Sequence, residues 1–78
     1  MVKILGLDPS LSSTGWGVIE TENNRLRYIA DGFIPTDPKL PIEQRLDCLY
    51  RAICRVIETY KPDEASIEVI FLNSNPKP

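Results

Sequence analysis

Residues 42–60 constrain the topology more than any other stretch. Ile42, Leu46, Leu49, Ile53, Ile57 and Tyr60 recur at spacings of three and four, with Glu43, Gln44, Asp47, Arg51, Arg55 and Glu58 largely between them. That is an amphipathic helix of about five turns. Pro41 fits its first helical position, although Leu40 is a poor N-cap, and Lys61-Pro62 ends it. Strand-like runs lie on both sides of this helix. A strand–helix–strand passage is a crossover, which normally returns parallel to an earlier strand and right-handed. The chain is therefore expected to build an α/β fold around a mixed sheet.

Before the helix, Val2–Asp8 is a short run rich in Ile, Leu and Val, suited to a strand covered on both faces. Thr14–Thr21 is a second strand, containing Trp16, Val18 and Ile19, and Arg25–Ile34 is a third, with Leu26, Tyr28, Ala30 and Gly32 in alternation. Glu22-Asn23-Asn24-Arg25 joins the last two as a hairpin turn, because Asn tolerates the left-handed backbone. Pro35–Pro41 is a connection with three prolines, and Glu64–Ile70 is a fourth strand. The expected order is β-β-β-α-β, with strand order 3-2-1-4 and the first and fourth strands parallel.

Seventy-eight residues make one small domain at most. A net charge of −2 announces no overall basic field, so contact with nucleic acid must rest on local geometry. With no His, metal or acid–base chemistry falls to carboxylates. Cys48 and Cys54 lie six residues apart on the helix, about 240° around and about 9 Å along it, and cannot bond to each other. They read as small core or boundary residues in a reducing compartment. No apolar stretch approaches a membrane span and Met-Val-Lys-Ile enters a strand directly, so a cytoplasmic protein is expected.

The chemistry gathers at Asp8, a carboxylate closing an apolar run. A buried carboxylate costs several kcal/mol unless paired, hydrogen-bonded or on a metal. Val2, Ile4, Gly6 and Asp8 share one face of their strand, and Glu64, Ser66 and Glu68 share one face of theirs. If the two strands are parallel neighbours about 4.8 Å apart, Asp8 and Glu68 meet at their C-terminal ends, where open α/β sheets place ligands. Two such carboxylates repel unless a cation sits between them, and Mg²⁺ or Mn²⁺ is the oxygen-preferring answer. The competing reading makes Asp8 a turn cap and Glu68 an exposed edge residue. Ser10, Ser12 and Thr14 beside Asp8 either touch phosphate oxygens or serve the turn. Trp16 reads as core, and Arg51 and Arg55 as the solvated side of the helix.

"ILGLDPSLSSTGWGVI", the helix and "SIEVIF" together resemble the N-terminal half of the RuvC-type Holliday-junction resolvases, a family of the ribonuclease H-like fold. Asp8, Thr14, Gly15, Trp16, Gly17, Val18 and Ile19 match its first motif, and Ile67, Glu68 and Phe71 its second. The resemblance implies a metal-dependent endonuclease that cuts four-way DNA junctions in recombination and repair. Asp8 and Glu68 would be its catalytic metal ligands, with two divalent ions per complete site. Phe71 would stack on an unpaired base, against the plainer possibility that it covers a sheet edge or the helix. The implied partners are junction DNA, a second copy in a homodimer, and a branch-migration motor.

Ser10 departs from the family's usual Gly at a position the turn is expected to tolerate. Family members are longer, supplying two further aspartates three residues apart from a later helix. Residues 1–78 are accordingly expected to be the N-terminal half of the nuclease domain, a fragment inactive alone. Two other classes fit the pattern less fully. A nucleotide-binding module of the actin and sugar-kinase type wants Gly at position 10 and leaves Ile67, Glu68 and Phe71 unexplained. A non-catalytic ribonuclease H-like interaction domain keeps the fold without the activity.

Overall fold

The computed structural model describes residues 1–10 and 12–67. Within them the elements are β1 (Val2–Asp8), β2 (Ser13–Glu22), β3 (Arg25–Pro35), α1 (Ile42–Tyr60) and β4 (Glu64–Ile67). They form one mixed sheet in the order β3-β2-β1-β4, with β4 parallel to β1 and the other pairs antiparallel. This is the expected topology. Positions 68–70, the expected end of the fourth strand, lie outside the described residues.

Local chemistry explains the joints. Asn23 and Asn24 adopt φ of 50° and 67°, so both central residues of the β2–β3 turn are left-handed. A two-residue hairpin needs that geometry for its twist to match the strands. The parallel pairing of β1 with β4 starts from a clamp at Lys3. Its backbone N–H donates to the Asp63 carboxylate at 2.9 Å, and its carbonyl accepts from the Asp63 N–H at 2.7 Å. The Lys3 ammonium donates to the Tyr60 carbonyl at 2.9 Å, placing a cation at the negative end of α1. Lys61 closes that helix in the left-handed conformation, φ 50°, its N–H returning to the Ile57 carbonyl.

Two expectations are corrected. Pro41 is the N-cap of α1 rather than its first helical residue: its carbonyl accepts from the N–H groups of Gln44 and Arg45, both at 3.0 Å. The even-numbered residues of β3 also do not share one face. Val18 pairs with Ala30 but Ile19 pairs with Tyr28, a bulge that inserts Ile29 and reverses the alternation. Leu26 and Tyr28 consequently lie on the face away from α1, 74% and 67% exposed, while Ala30, Gly32 and Ile34 line the helix side.

The core lies between α1 and the sheet. Leu5 and Val18, cross-strand partners, are fully buried, and Ile34 nearly so. Full burial of such a side chain contributes about 1.5–3 kcal/mol. Trp16 packs on the same side, as its core reading requires, with its ring 5.6 Å from that of Tyr60 on α1. Gly32 makes room for it, since a Cβ there would meet three indole atoms at 2.9 Å. The opposite face of the sheet carries no helix among the described residues.

Candidate active site on the open face of the sheet

Asp8 ends β1 on the face turned away from α1. The register Asp8↔Gly15↔Phe33 forms one row across β1, β2 and β3, and Ser66↔Gly6↔Gly17↔Asp31 forms the next across all four strands. Three of the interior positions in these rows are glycine, so side chains rise only at the ends and at Asp8. The result is a hollow of about 350 Å³ with Asp8, Asp31, Phe33 and Ser66 around a backbone floor. Another hollow, about 440 Å³, lies at the far hairpin against Met1, Glu22 and Leu26, away from Asp8 and its row.

The Asp8 side chain is exposed and, among the described residues, takes no hydrogen bond or ion pair. A turn-capping Asp accepts a backbone N–H within two or three residues. Here the side-chain acceptor in the turn is Ser10 instead, whose Oγ lies 3.4 Å from the Ser12 nitrogen. Ser10 is not among the left-handed residues, so Ser in place of Gly stores no strain there. Asp8 is left with both oxygens available to a hard cation. No group of three His, Cys, Asp or Glu side chains that could hold a metal occurs among the described residues. One free carboxylate fits an oxygen-preferring ion without completing its shell.

The other predicted positions divide. Ser10 and Ser12 are exposed in the turn that follows Asp8 but do not line its hollow; Ser10 borders a crevice with Thr36, Ile42 and Arg45 at the start of α1. Thr14 is 2% exposed and on the opposite face, and its Oγ1 has no hydrogen-bond partner among the described residues. The pairing of Asp8 with Gly15 turns the Thr14 side chain into the core, so the expectation that it meets DNA is set aside. Glu68 and Phe71 lie outside the described residues. The described register of β1 with β4 ends at Leu7↔Ile67.

Sequence reasoning missed Phe33 and Asp31. An aromatic in an apolar run reads as core, and only the position of α1 shows that Phe33 faces the other way. Asp31 accepts a hydrogen bond from the Tyr28 hydroxyl at 3.1 Å. That bond holds the Tyr28 phenol above its ordinary pKa, because ionising it would place a phenolate beside a carboxylate.

Residues 4–78 match the family described as crossover junction endodeoxyribonuclease RuvC. Among similar proteins of that name, the one from Erythrobacter litoralis is 53% identical over 77 residues, covering 99% of this chain and 47% of its own length. The one from Caulobacter sp. is 49% identical, covering 95% and 44%. The chain thus spans about half the length of the curated relatives it matches. Thermus thermophilus RuvC, solved in complex with a Holliday junction substrate, superposes with a TM-score of 0.84 at 20% identity, over 95% of this chain and 46% of that one. An Aquifex aeolicus PPX-GPPA enzyme shares the fold at a TM-score of 0.57 and 12% identity.

Proposed function

Since the chain belongs to the RuvC family of crossover junction endodeoxyribonucleases, we propose that residues 1–78 are the N-terminal half of a ribonuclease H-like nuclease domain. The whole protein resolves four-way DNA junctions by paired phosphodiester hydrolysis. The observation that carries this reading is the uncommitted carboxylate of Asp8 at the C-terminal rim of β1, beside a parallel β4. Ile67 pairs with Leu7, and the residues that follow them in the sequence are Glu68 and Asp8. Asp8 and Glu68 are proposed to hold Mg²⁺ or Mn²⁺.

Ions held there would supply an activated water and stabilisation of the leaving 3′ oxygen. The chain's own groups do the placing. Asp8 would set, through the ions it holds, where the scissile phosphate sits at the end of β1, and Ser10 and Ser12 offer hydroxyls to neighbouring phosphate oxygens, which sets position without reading sequence. Phe71 is proposed to stack on an unpaired base. A homodimer acting in the cytoplasm, fed by a branch-migration motor, completes the proposal.

The test is cleavage of a synthetic four-way junction in Mg²⁺. The full-length protein is expected to cut, and Asp8→Asn and Glu68→Gln to bind the junction without cutting. Residues 1–78 alone are expected not to cut. Cleavage surviving Asp8→Asn would refute the reading. Calorimetric binding of ATP in place of junction DNA would favour a nucleotide-binding module.

A further inference from the structure

Phe33 occupies the row of Asp8 two strands away and is 77% exposed. Between them lies Gly15. The Phe33 ring atoms Cε1 and Cδ1 lie 3.5 and 3.7 Å from where a Gly15 Cβ would be, and the Asp8 Cβ lies 3.9 Å from it. The aromatic ring therefore leans over β2 toward Asp8, across a gap that glycine keeps open. Two strand spacings put the origins of the two side chains about 10 Å apart, within the reach from a backbone phosphate to the base of a neighbouring nucleotide.

We propose that Phe33 is a positioning residue that stacks on the base of the nucleotide next to the phosphate held at Asp8. This rests on the nuclease reading above. The electrostatics of the hollow select a base over other parts of a DNA strand. Asp31 stands on the same face as the ring and is not one of the proposed ion ligands, so its carboxylate repels a second phosphate from the slot. What a strand can present to Phe33 is its uncharged, flat component. The glycine floor leaves the slot free of side chains that would meet a planar group edge-on. Stacking of this kind tolerates any base, so Phe33 contributes placement and affinity rather than sequence preference.

The experiment uses the full-length protein and a four-way junction with Ca²⁺ in place of Mg²⁺ to keep the DNA uncut, with affinity read by fluorescence anisotropy. Two junctions are compared: one intact, and one abasic at the nucleotide flanking the cleaved phosphate, mapped beforehand. On the intact junction Phe33→Ala is expected to weaken binding about 5- to 100-fold, and Phe33→Leu to share most of that loss. Phe33→Trp is expected to retain wild-type affinity. On the abasic junction all four proteins are expected to bind alike. Three results would overturn the inference alone: full affinity of Phe33→Ala for the intact junction, an equal loss on the abasic one, or full affinity of Phe33→Leu with a lowered melting temperature for Phe33→Ala. The last would mean that protein, not DNA, covers the ring. A wild-type protein that ignores junction DNA overturns the nuclease reading and this inference with it.

Discussion

Replacing Gly32 by alanine adds a methyl group whose carbon would sit 2.9 Å from Cε2, Cζ2 and Nε1 of Trp16. The contact is with the rigid part of the indole, and the ring has little room to retreat, because Tyr60 flanks it with centroids 5.6 Å apart. Overpacking of this kind costs about 1–3 kcal/mol. Against it stands the ordinary benefit of alanine over glycine in a strand, about 0.5–1 kcal/mol. The net expectation is a loss of about 0.5–2 kcal/mol. Gly17→Ala is the control: its Cβ would meet nothing closer than 3.9 Å on the open face, so the alanine benefit appears unopposed. In urea titrations followed by circular dichroism, with a slope near 1 kcal/mol per molar, Gly32→Ala should lower the midpoint by about 0.5–2 M and Gly17→Ala should raise it. In a Trp16→Phe background the Gly32→Ala penalty should shrink, a coupling within about 0.5–3 kcal/mol. A Gly32→Ala midpoint at or above wild type would refute the packing argument.

Asp63→Ala removes the carboxylate that receives the Lys3 N–H and should cost about 0.5–1.5 kcal/mol, read by the same titration; an unchanged midpoint would mean the clamp adds nothing to register. Asn24→Gly, at φ 67°, should stabilise by a few tenths of a kcal/mol, since glycine adopts that backbone without a Cβ penalty. Tyr28 and Tyr50 should titrate above the ordinary tyrosine value of about 10, Tyr28 through its hydrogen bond to Asp31 and Tyr50 through the Cys54 thiol beside it. A raised folded-state pKa means the Tyr28 contribution is present below the unfolded value and fades as pH climbs through the folded one. Alkaline unfolding should therefore be less steep in Tyr28→Phe, with ultraviolet absorbance near 295 nm reporting the ionisation.

Topology was readable because a single periodic helix between two prolines permits few arrangements, and Asn23-Asn24 admits few turns. The bulge at Ile29 was not readable: Leu26, Tyr28, Ala30 and Gly32 look like one uninterrupted alternation until β2 supplies the partner that breaks it. The one-residue shift at the helix start has a similar origin, since a proline near φ −60° suits the cap and the first turn equally. Asp8 stood out because a carboxylate ending an apolar run calls for a reason. Thr14 misled, because in a run of hydroxyl residues only cross-strand pairing decides which of them turns inward. The Lys3–Asp63 bonds join residues 60 positions apart, and no local pattern encodes them.

The helix α1 runs for 19 residues without one fully buried side chain. Isolated helices shorter than about 12–15 residues are marginal in water, so this one stands just beyond that limit and leans on Trp16 and Lys3 at its final turn. Its amides should take up deuterium well before those of β2, which is hydrogen-bonded to a strand on either side. Unfolding in this chain is then expected to begin as a peeling of one layer, while the sheet beneath it persists.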